Sequence, residues 1–340
     1  MKKFTSPSRS SSPSKSPSPD VLCLGELLID FVSTDRDVNL SQSGGFVKAP
    51  GGAPANVAVS AVRMGVSAGF IGKVGDDPFG RYLKEVLEEN GVDASRLILD
   101  AGARTTLSFV AQKSDGVRDC IFYRNPGADQ LLSPDEIDER YVASAALVHY
   151  GSISLESPIS QMATQKAVGL AGEKGMLLTY DPNYRPTLWQ DQEEARQKMN
   201  VALSWANLVK ISEEEYPFIT GTDSPEACGQ YILDNGPSVA VVTLGEKGCY
   251  YTDGLHSGYL PGCPVQLVDS TGAGDSFMGT LLAYLARQRR KNPRYLPVCD
   301  EAFVECLRLA NCAGALATTK LGAIPSIPTR EQAEKLLQEQ

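Results

Sequence analysis

The stretch Val268–Phe277, VDSTGAGDSF, runs straight into the pattern MGTLLAYLARQRR, and its reading decides how the rest of the chain is understood. Gly272, Ala273 and Gly274 are small enough for a ligand to approach the backbone and for consecutive N–H groups to aim at one point. Phe277, Leu281, Leu282 and Leu285 recur at spacings of three and four, which predicts a helix with one buried face and its positive N-terminal end at that same point. An anion is attracted there, and a phosphate suits the place. Asp275 then sets a carboxylate in the first turn beside the anion site, either to accept a proton or simply to complement the dipole of its own helix. Gly272, Gly274 and Gly279 are spaced GxGxxxxG rather than GxGxxG, and no GxxxxGK[ST] occurs, so the loop is neither a dinucleotide fingerprint nor a P-loop.

The 340 residues, 42% of them hydrophobic, are enough for one large α/β domain or two smaller ones. The formal net charge of −9, with both signs interspersed, excludes a basic field for nucleic acid or an anionic membrane surface, and points to a small-molecule partner. Eight cysteines occur without a CxxC pair or a Cys/His ligand spacing, which fits reduced, mostly buried thiols in a cytoplasmic compartment. With only His149 and His256 present, carboxylates must carry any acid–base work.

Residues 1–20 form a Ser/Pro-rich tail with basic residues and almost no acidic ones, a composition that cannot build a core. It reads as a disordered tail, with a plastid transit segment as the alternative. Next, VLCLGELLIDFV predicts a buried strand and a second segment leaving the core, in which Asp30 faces solvent, a partner or a ligand. APGGAPANVAVSAVRMG places a turn at Gly51 and Gly52 and then a helix with Asn56 near its first turn. Strand and helix patterns alternate up to Gly91, and residues 103–125 break the rhythm with two β-rich runs around the turn signal SDG. From Ala146 the alternation resumes, and parallel α/β architecture follows. In such sheets ligands bind beyond the carboxyl ends of strands, where Asp181, Asn183 and Arg185 fall, although DPN followed by a basic residue also makes an ordinary turn.

Taken together, GELLID, GGAPANVA, FYRNP, DPNYR and VDSTGAGDSF resemble the ribokinase-like (PfkB) carbohydrate kinases, the fructokinases in particular, over residues 21–330. The resemblance implies a central, mostly parallel sheet flanked by helices, with a small β-sheet lid over the sugar site drawn from about 32–48 and 103–125, and residues 331–340 as a C-terminal helix end. It implies phosphoryl transfer from ATP to the C6 hydroxyl of fructose, with Asp275 as general base and the backbone of Gly272, Ala273 and Gly274 as the anion hole. Asp30, Gly51, Gly52, Asn56, Arg104, Tyr123, Arg124 and Arg185 are then its candidate sugar contacts, and Asn183, Ser212, Thr243, Gly245, Gly248 and Asn311 its candidate ATP contacts.

Glu215 keeps the acidic position of the family's N-x-x-E region, implying Mg²⁺ held through water, while Ser212 stands where Asn is usual. A K⁺ site would use Asp269 with Ala317, Gly322 and Ser326. The resemblance also allows a homodimer through the lid strands. The alternatives are a kinase for 2-keto-3-deoxygluconate or another sugar or nucleoside, and a non-catalytic scaffold. Asp30 speaks against an acid sugar, and the intact loop and Asp275 against a scaffold.

Overall fold

The computed structural model describes residues 18–112 and 118–340. Residues 1–17 of the expected tail and the expected SDG turn lie outside the described residues.

The chain opens with β1 (Val21–Leu24), β2 (Leu28–Ser33) and β3 (Phe46–Gly51), followed by α1 (Ala53–Arg63), β4 (Ala68–Gly75), α2 (Pro78–Glu89) and β5 (Asp93–Asp100). Next come β6 (Leu107–Gln112), β7 (Arg118–Tyr123), α3 (Glu139–Val142), β8 (Leu147–Tyr150), α4 (Pro158–Glu173), β9 (Leu177–Tyr180) and α5 (Gln192–Leu203). After β10 (Leu208–Ser212), α6 (Tyr216–Thr220), α7 (Pro225–Asp234) and β11 (Val239–Thr243), two short strands follow, β12 (Cys249–Thr252) and β13 (Ser257–Leu260). Four helices end the chain: α8 (Ala273–Lys291), α9 (Glu301–Ala317), α10 (Ala323–Ser326) and α11 (Arg330–Gln338).

The large sheet has the order β13-β12-β11-β10-β9-β8-β1-β4-β5. Its pairs are parallel from β5 through to β11, and only β12 and β13 run antiparallel. Strands buried on both faces read as short continuous apolar runs, and alternate residues serve opposite layers. Val21 and Cys23 of β1 join the core under α1, α2, α8 and α9, with Phe70, Leu281 and Phe303. Leu22 and Leu24 join the core under α4, α5 and α7, with Tyr150, Tyr180 and Met199. The edge strand β5, DASRLILD, carries a mixture of buried and half-buried positions with no clean alternation, which is why the helix-to-hairpin stretch of the sequence did not announce it.

A second, four-stranded sheet has the order β3-β2-β6-β7. Its outer pairs are antiparallel and its central pair, β2 with β6, is parallel. Asp30 pairs with Ala49 on one side and Ser108 on the other, so these three residues share one face of the small sheet. On the opposite face Phe31 stacks on Phe109 with centroids 4.9 Å apart and meets Phe79 of α2 edge-on.

Helices α1 and α8 cross closely because Gly279 has no side chain: a Cβ there would lie 2.3 Å from Ser60 Cβ and 2.8 Å from Val57 O. One turn earlier on each helix stand Asn56 and Asp275. Gly279→Val should therefore force the helices apart, lowering stability by about 1–3 kcal/mol. A urea midpoint equal to that of the unsubstituted protein would show that the crossing is not tight.

Candidate active site

The site is built where α8 begins. Gly272 caps the helix with φ 85°, in the left-handed region that favours glycine, and a Cβ there would press to 3.0 Å from Ala323 Cα. Gly314 of α9 lets the loop settle from the other side, since a Cβ on it would reach Ala273 O at 3.1 Å. Ala273 N–H reaches Ser270 O only at 3.4 Å, a weak bond that leaves it able to turn to a ligand. Asp275 follows in the first turn, 8% exposed, and Asn56 Nδ2 donates to its Oδ2 at 2.8 Å. Asn56 Oδ1 is buried and has no partner among the described residues, an acceptor left for a ligand hydroxyl.

The carboxyl ends of β9 and β10 supply the charges around this pair. Asp181 follows β9, and its Oδ2 takes a 2.9 Å ion pair from Lys210 Nζ of β10, both side chains being buried. Lys210 Nζ lies beside the anion loop, 2.9 Å from where a Cβ on Gly274 would be. Burial alone would lower the pKa of Lys210, but Asp181, Glu215 and Asp275 outweigh it and hold the ammonium charged. Asp275 is pushed up to about 6, first by burial and then by Asp181, against the opposing pull of Asn56, Lys210 and Arg185. His149, buried against Thr179, is pushed down to about 3 by burial and by Lys210, so it stays neutral.

Asn183 has a left-handed backbone, φ 46°. The half-buried Arg185 donates to Tyr184 O at 3.1 Å. Glu215 ties the ends of β9 and β10 together: Ser212 N and Oγ donate to its Oε2 at 3.0 and 2.8 Å, and Tyr184 N to its Oε1 at 2.5 Å. Both expected metal-region residues, Ser212 and Glu215, are thus bonded to each other.

The small sheet brings Asp30 to the other side. Ser108 Oγ donates to Asp30 Oδ1, and Gly51 packs so close that any Cβ would collide with the carboxylate. Gly52 caps α1 with φ 110°, and a Cβ there would lie 2.4 Å from Glu26 O. Ala49, on the Asp30 face, reaches to 4.0 Å from the Cβ position of Gly322, which turns that face toward the anion loop. Tyr123 at the end of β7, Arg124 just after it and Arg104 before β6 are the remaining expected sugar contacts. Arg124 is buried in a network with Asp129 at 2.8 Å and Glu156 at 3.1 Å. Tyr123 is 63% exposed with its edge against Phe109, and Arg104 is exposed and bridged through its backbone to Gly127.

Thr243 ends β11, and Gly245 and Gly248 take φ 57° and 102° in the turn to β12. Asn311 Nδ2 donates to Pro261 O at 3.0 Å, drawing α9 toward the loop after β13. Asp269 Oδ1 accepts from Thr271 N and Oγ1 at 3.0 and 2.7 Å, and its Oδ2 from Gly322 N at 2.9 Å, so the anion loop is tied to the entry of α10. Ala317 and Ser326 are buried nearby, with Ser326 Oγ donating to Ala323 O. Among the described residues no cluster of three or more His, Cys, Asp or Glu could hold a metal ion, and no helix is long and apolar enough to cross a membrane.

Sequence reasoning passed over Lys210 and Glu26. Each is a charged residue inside an apolar run, LVKIS and CLGELL, and that is the signal that could have found them. Burial pushes Glu26 up to about 7, although it accepts from Ala53 N at 3.0 Å.

A parallel α/β sheet, a covering small sheet and a buried carboxylate at a glycine-capped helix end define a phosphoryl-transferring kinase of the ribokinase-like class. The family model for pfkB family carbohydrate kinases matches residues 18–330, and the chain belongs to that family, as an ATP-dependent carbohydrate kinase. It is 46% identical to Fructokinase-1 of Zea mays over 320 residues, 94% of this chain and 97% of the relative. Among solved structures it is similar to the fructokinase of Xylella fastidiosa with bound ATP, at 31% identity and TM-score 0.84, covering 94% of this chain and 98% of the other. It is also similar to a double mutant of the Vibrio cholerae O395 fructokinase in its fructose, ADP and potassium ion bound form, at 32% identity and TM-score 0.83, covering 95% and 100%.

The Asp275 shift has a consequence for stability. An exposed Asp releases its proton near 3.8, whereas the folded chain keeps it up to about 6. The contribution is complete below the lower value and is lost as pH rises through the upper one, on the order of 3 kcal/mol. Asp275→Asn removes that loss, so between about pH 4 and about pH 8 its urea midpoint should fall less than that of the unsubstituted protein. Identical pH dependence in both would mean that the carboxylate is not desolvated.

Proposed function

We propose that the protein phosphorylates D-fructose at its C6 hydroxyl with MgATP, giving fructose 6-phosphate and ADP. The observation that carries this reading is the buried Asp275, oriented by Asn56 at the N-terminal end of α8. The fructokinases reported above supply the substrate. As the C6 oxygen attacks the γ-phosphorus, its proton passes to Asp275, the bond from the γ-phosphorus to the bridging oxygen breaks, and ADP leaves. Raised to about 6, the carboxylate is ionised at neutral pH yet more basic than an exposed Asp, which suits a general base.

The N–H groups of Gly272, Ala273 and Gly274, with Lys210 behind them, stabilise the developing negative charge; a well-aimed donor contributes roughly 3 kcal/mol. Asp30, held by Ser108 and Gly51, and Asn56 Oδ1 accept from sugar hydroxyls. An acid sugar would bring its carboxylate toward Asp30 and Asp275, so a neutral ketose is favoured over 2-keto-3-deoxygluconate. Arg124 acts through the Asp129 and Glu156 network to hold β7 rather than by touching sugar. Thr243, Gly245, Gly248 and Asn311 wall the nucleotide, and Asn183 and Arg185 lie toward the phosphates. The edges β3 and β7, with Val47 and Ile121 exposed, suit pairing with a second copy.

Mg²⁺ fits the residues present. Asp181 Oδ1 is buried and has no partner among the described residues, a ligand oxygen in need of a cation, and Glu215 retains lone pairs for a metal-bound water. When bound, the ion neutralises phosphate charge. A monovalent cation fits the loop joined by Asp269 and Gly322, with Ala317 and Ser326 beside it, and would stiffen the entry of α8.

A coupled ADP-release assay with MgATP and matched fructose, ribose, adenosine and 2-keto-3-deoxygluconate tests the substrate. Fructose should lead clearly, and kcat should drop by about 10²- to 10⁴-fold in Asp275→Asn. Preference for the acid sugar would overturn the role of Asp30, and near-normal kcat in the variant would remove Asp275 as the base. Replacing K⁺ with a large organic cation should slow turnover; equal rates in both would remove the cation site.

A further inference from the structure

Helix α1 carries Asn56 to Asp275, yet it opens on a residue that cannot cap it. Gly52 has no side chain, and a Cβ there would lie 2.4 Å from Glu26 O and 3.0 Å from Leu27 Cα. The first N–H groups of a helix find no partner within it. Pro54 has no N–H to satisfy. Asn56 N–H reaches back to Gly52 O at 3.0 Å, and Ala53 N–H donates to Glu26 Oε1 at 3.0 Å. The cap of α1 is thus supplied by a side chain 27 positions earlier in the chain.

Glu26 lies in the turn between β1 and β2, at the carboxyl end of the first strand, and is 3% exposed, an unusual setting for a carboxylate. Gly25 beside it presses on the same helix start, since a Cβ there would lie 2.6 Å from Pro54 Cγ. The charged neighbours that act on Glu26 are Asp129 and Arg124, which pair with each other. Asn56 follows Ala53 in the first turn of α1, and its Nδ2 donates to Asp275 Oδ2 at 2.8 Å. A first turn that drifts carries Asn56 with it, whereas Asp275 stays on α8. The charges that act most on Asp275 are those of Asp181, Lys210 and Arg185, so Glu26 reaches it through the helix rather than through its own charge.

We propose that Glu26 is a positioning residue for the reaction: its bond to Ala53 N–H fixes the first turn of α1, and with it the Asn56 amide that orients Asp275. The proposal rests on the reading of Asp275 as the base given above. Because the Asn56 bond favours the charged form of Asp275, its loss lets that carboxyl rise further above the ordinary Asp range. A residue that merely filled the space between β1 and α1 would leave the acidity of Asp275 alone.

The test compares Glu26→Gln with Glu26→Met, both uncharged and close in size to glutamate, of which only Gln has an oxygen that can accept from Ala53 N–H. In a pH profile of kcat with MgATP and fructose, the acid limb of Glu26→Gln should lie near that of the unsubstituted protein. In Glu26→Met it should move up by roughly one pH unit, while kcat falls about 10- to 10²-fold and KM for ATP holds. Glu26→Asp, which keeps the charge but ends a methylene short, should follow Glu26→Met and decides the matter if that variant fails to fold. In Asn56→Ala the limb should already be raised, and adding Glu26→Met should move it no further. A limb unmoved in Glu26→Met and Glu26→Asp, an equal shift in Glu26→Gln, or a shift that adds to that of Asn56→Ala overturns the proposal. Urea midpoints give a readout without turnover. The stability tied to protonated Asp275 is lost as pH rises through its folded value, so between about pH 4 and about pH 8 the midpoint should fall further in Glu26→Met than in Glu26→Gln. If that difference appears in a protein that does not phosphorylate fructose, the substrate reading fails and the role of Glu26 stands.

Discussion

A carboxylate removed from water and steadied by one amide is the constraint on which the rest depends. Asp275 sits at a helix end where it faces both the glycine loop and Asn56, and the 2.8 Å bond between them exists because α1 and α8 approach closely at Gly279 and Ser60. Burial raises the energy of the charged form, a cost that the proposed role of Asp275 as a base would turn to use. Gly272, Gly314 and Ala323 fit around the loop closely enough that its backbone has little freedom to drift.

The charges around Asp275 form one system. Asp181, Glu215 and Asp275 are set against Lys210 and Arg185, and Lys210 answers to all three carboxylates. A lysine in the middle of a buried strand would ordinarily be a severe cost; here its ion pair with Asp181 keeps it charged immediately behind Gly274. In the proposed mechanism, phosphates meet a cation already fixed in place and a carboxylate already oriented, which limits reorganisation during transfer. The second sheet brings Asp30 to this system from above.

Much of this was legible in the sequence, and what was legible has a common character. The glycine loop, Asn56 after a double glycine and Asp30 inside an apolar run all declare themselves through residue types that their local pattern does not explain. The alternation of strands and helices likewise specified the layers, because buried parallel strands are short and apolar. What stayed hidden depends on long-range register. Lys210 was passed over because its importance shows only when β9 places Asp181 beside it. Arg124 reads as a candidate sugar contact, yet besides nearby Asp129 it pairs with Glu156, 32 positions on, whose approach no local pattern encodes.

The tie between Asn56 and Asp275 spans 219 positions, and Asp269 reaches a further 53 to Gly322. Protein chains emerge from the ribosome in order, at about 5–20 residues per second, so the half that carries Asp30 and Asn56 exists well before the half that carries Asp275. The first strands and helices are made while Asp275 and the loop before it are still absent. The site closes only when the segment carrying Gly322 has been made and docked. The residues around Asp275 are thus brought together by contacts that no fragment lacking the last helices can make.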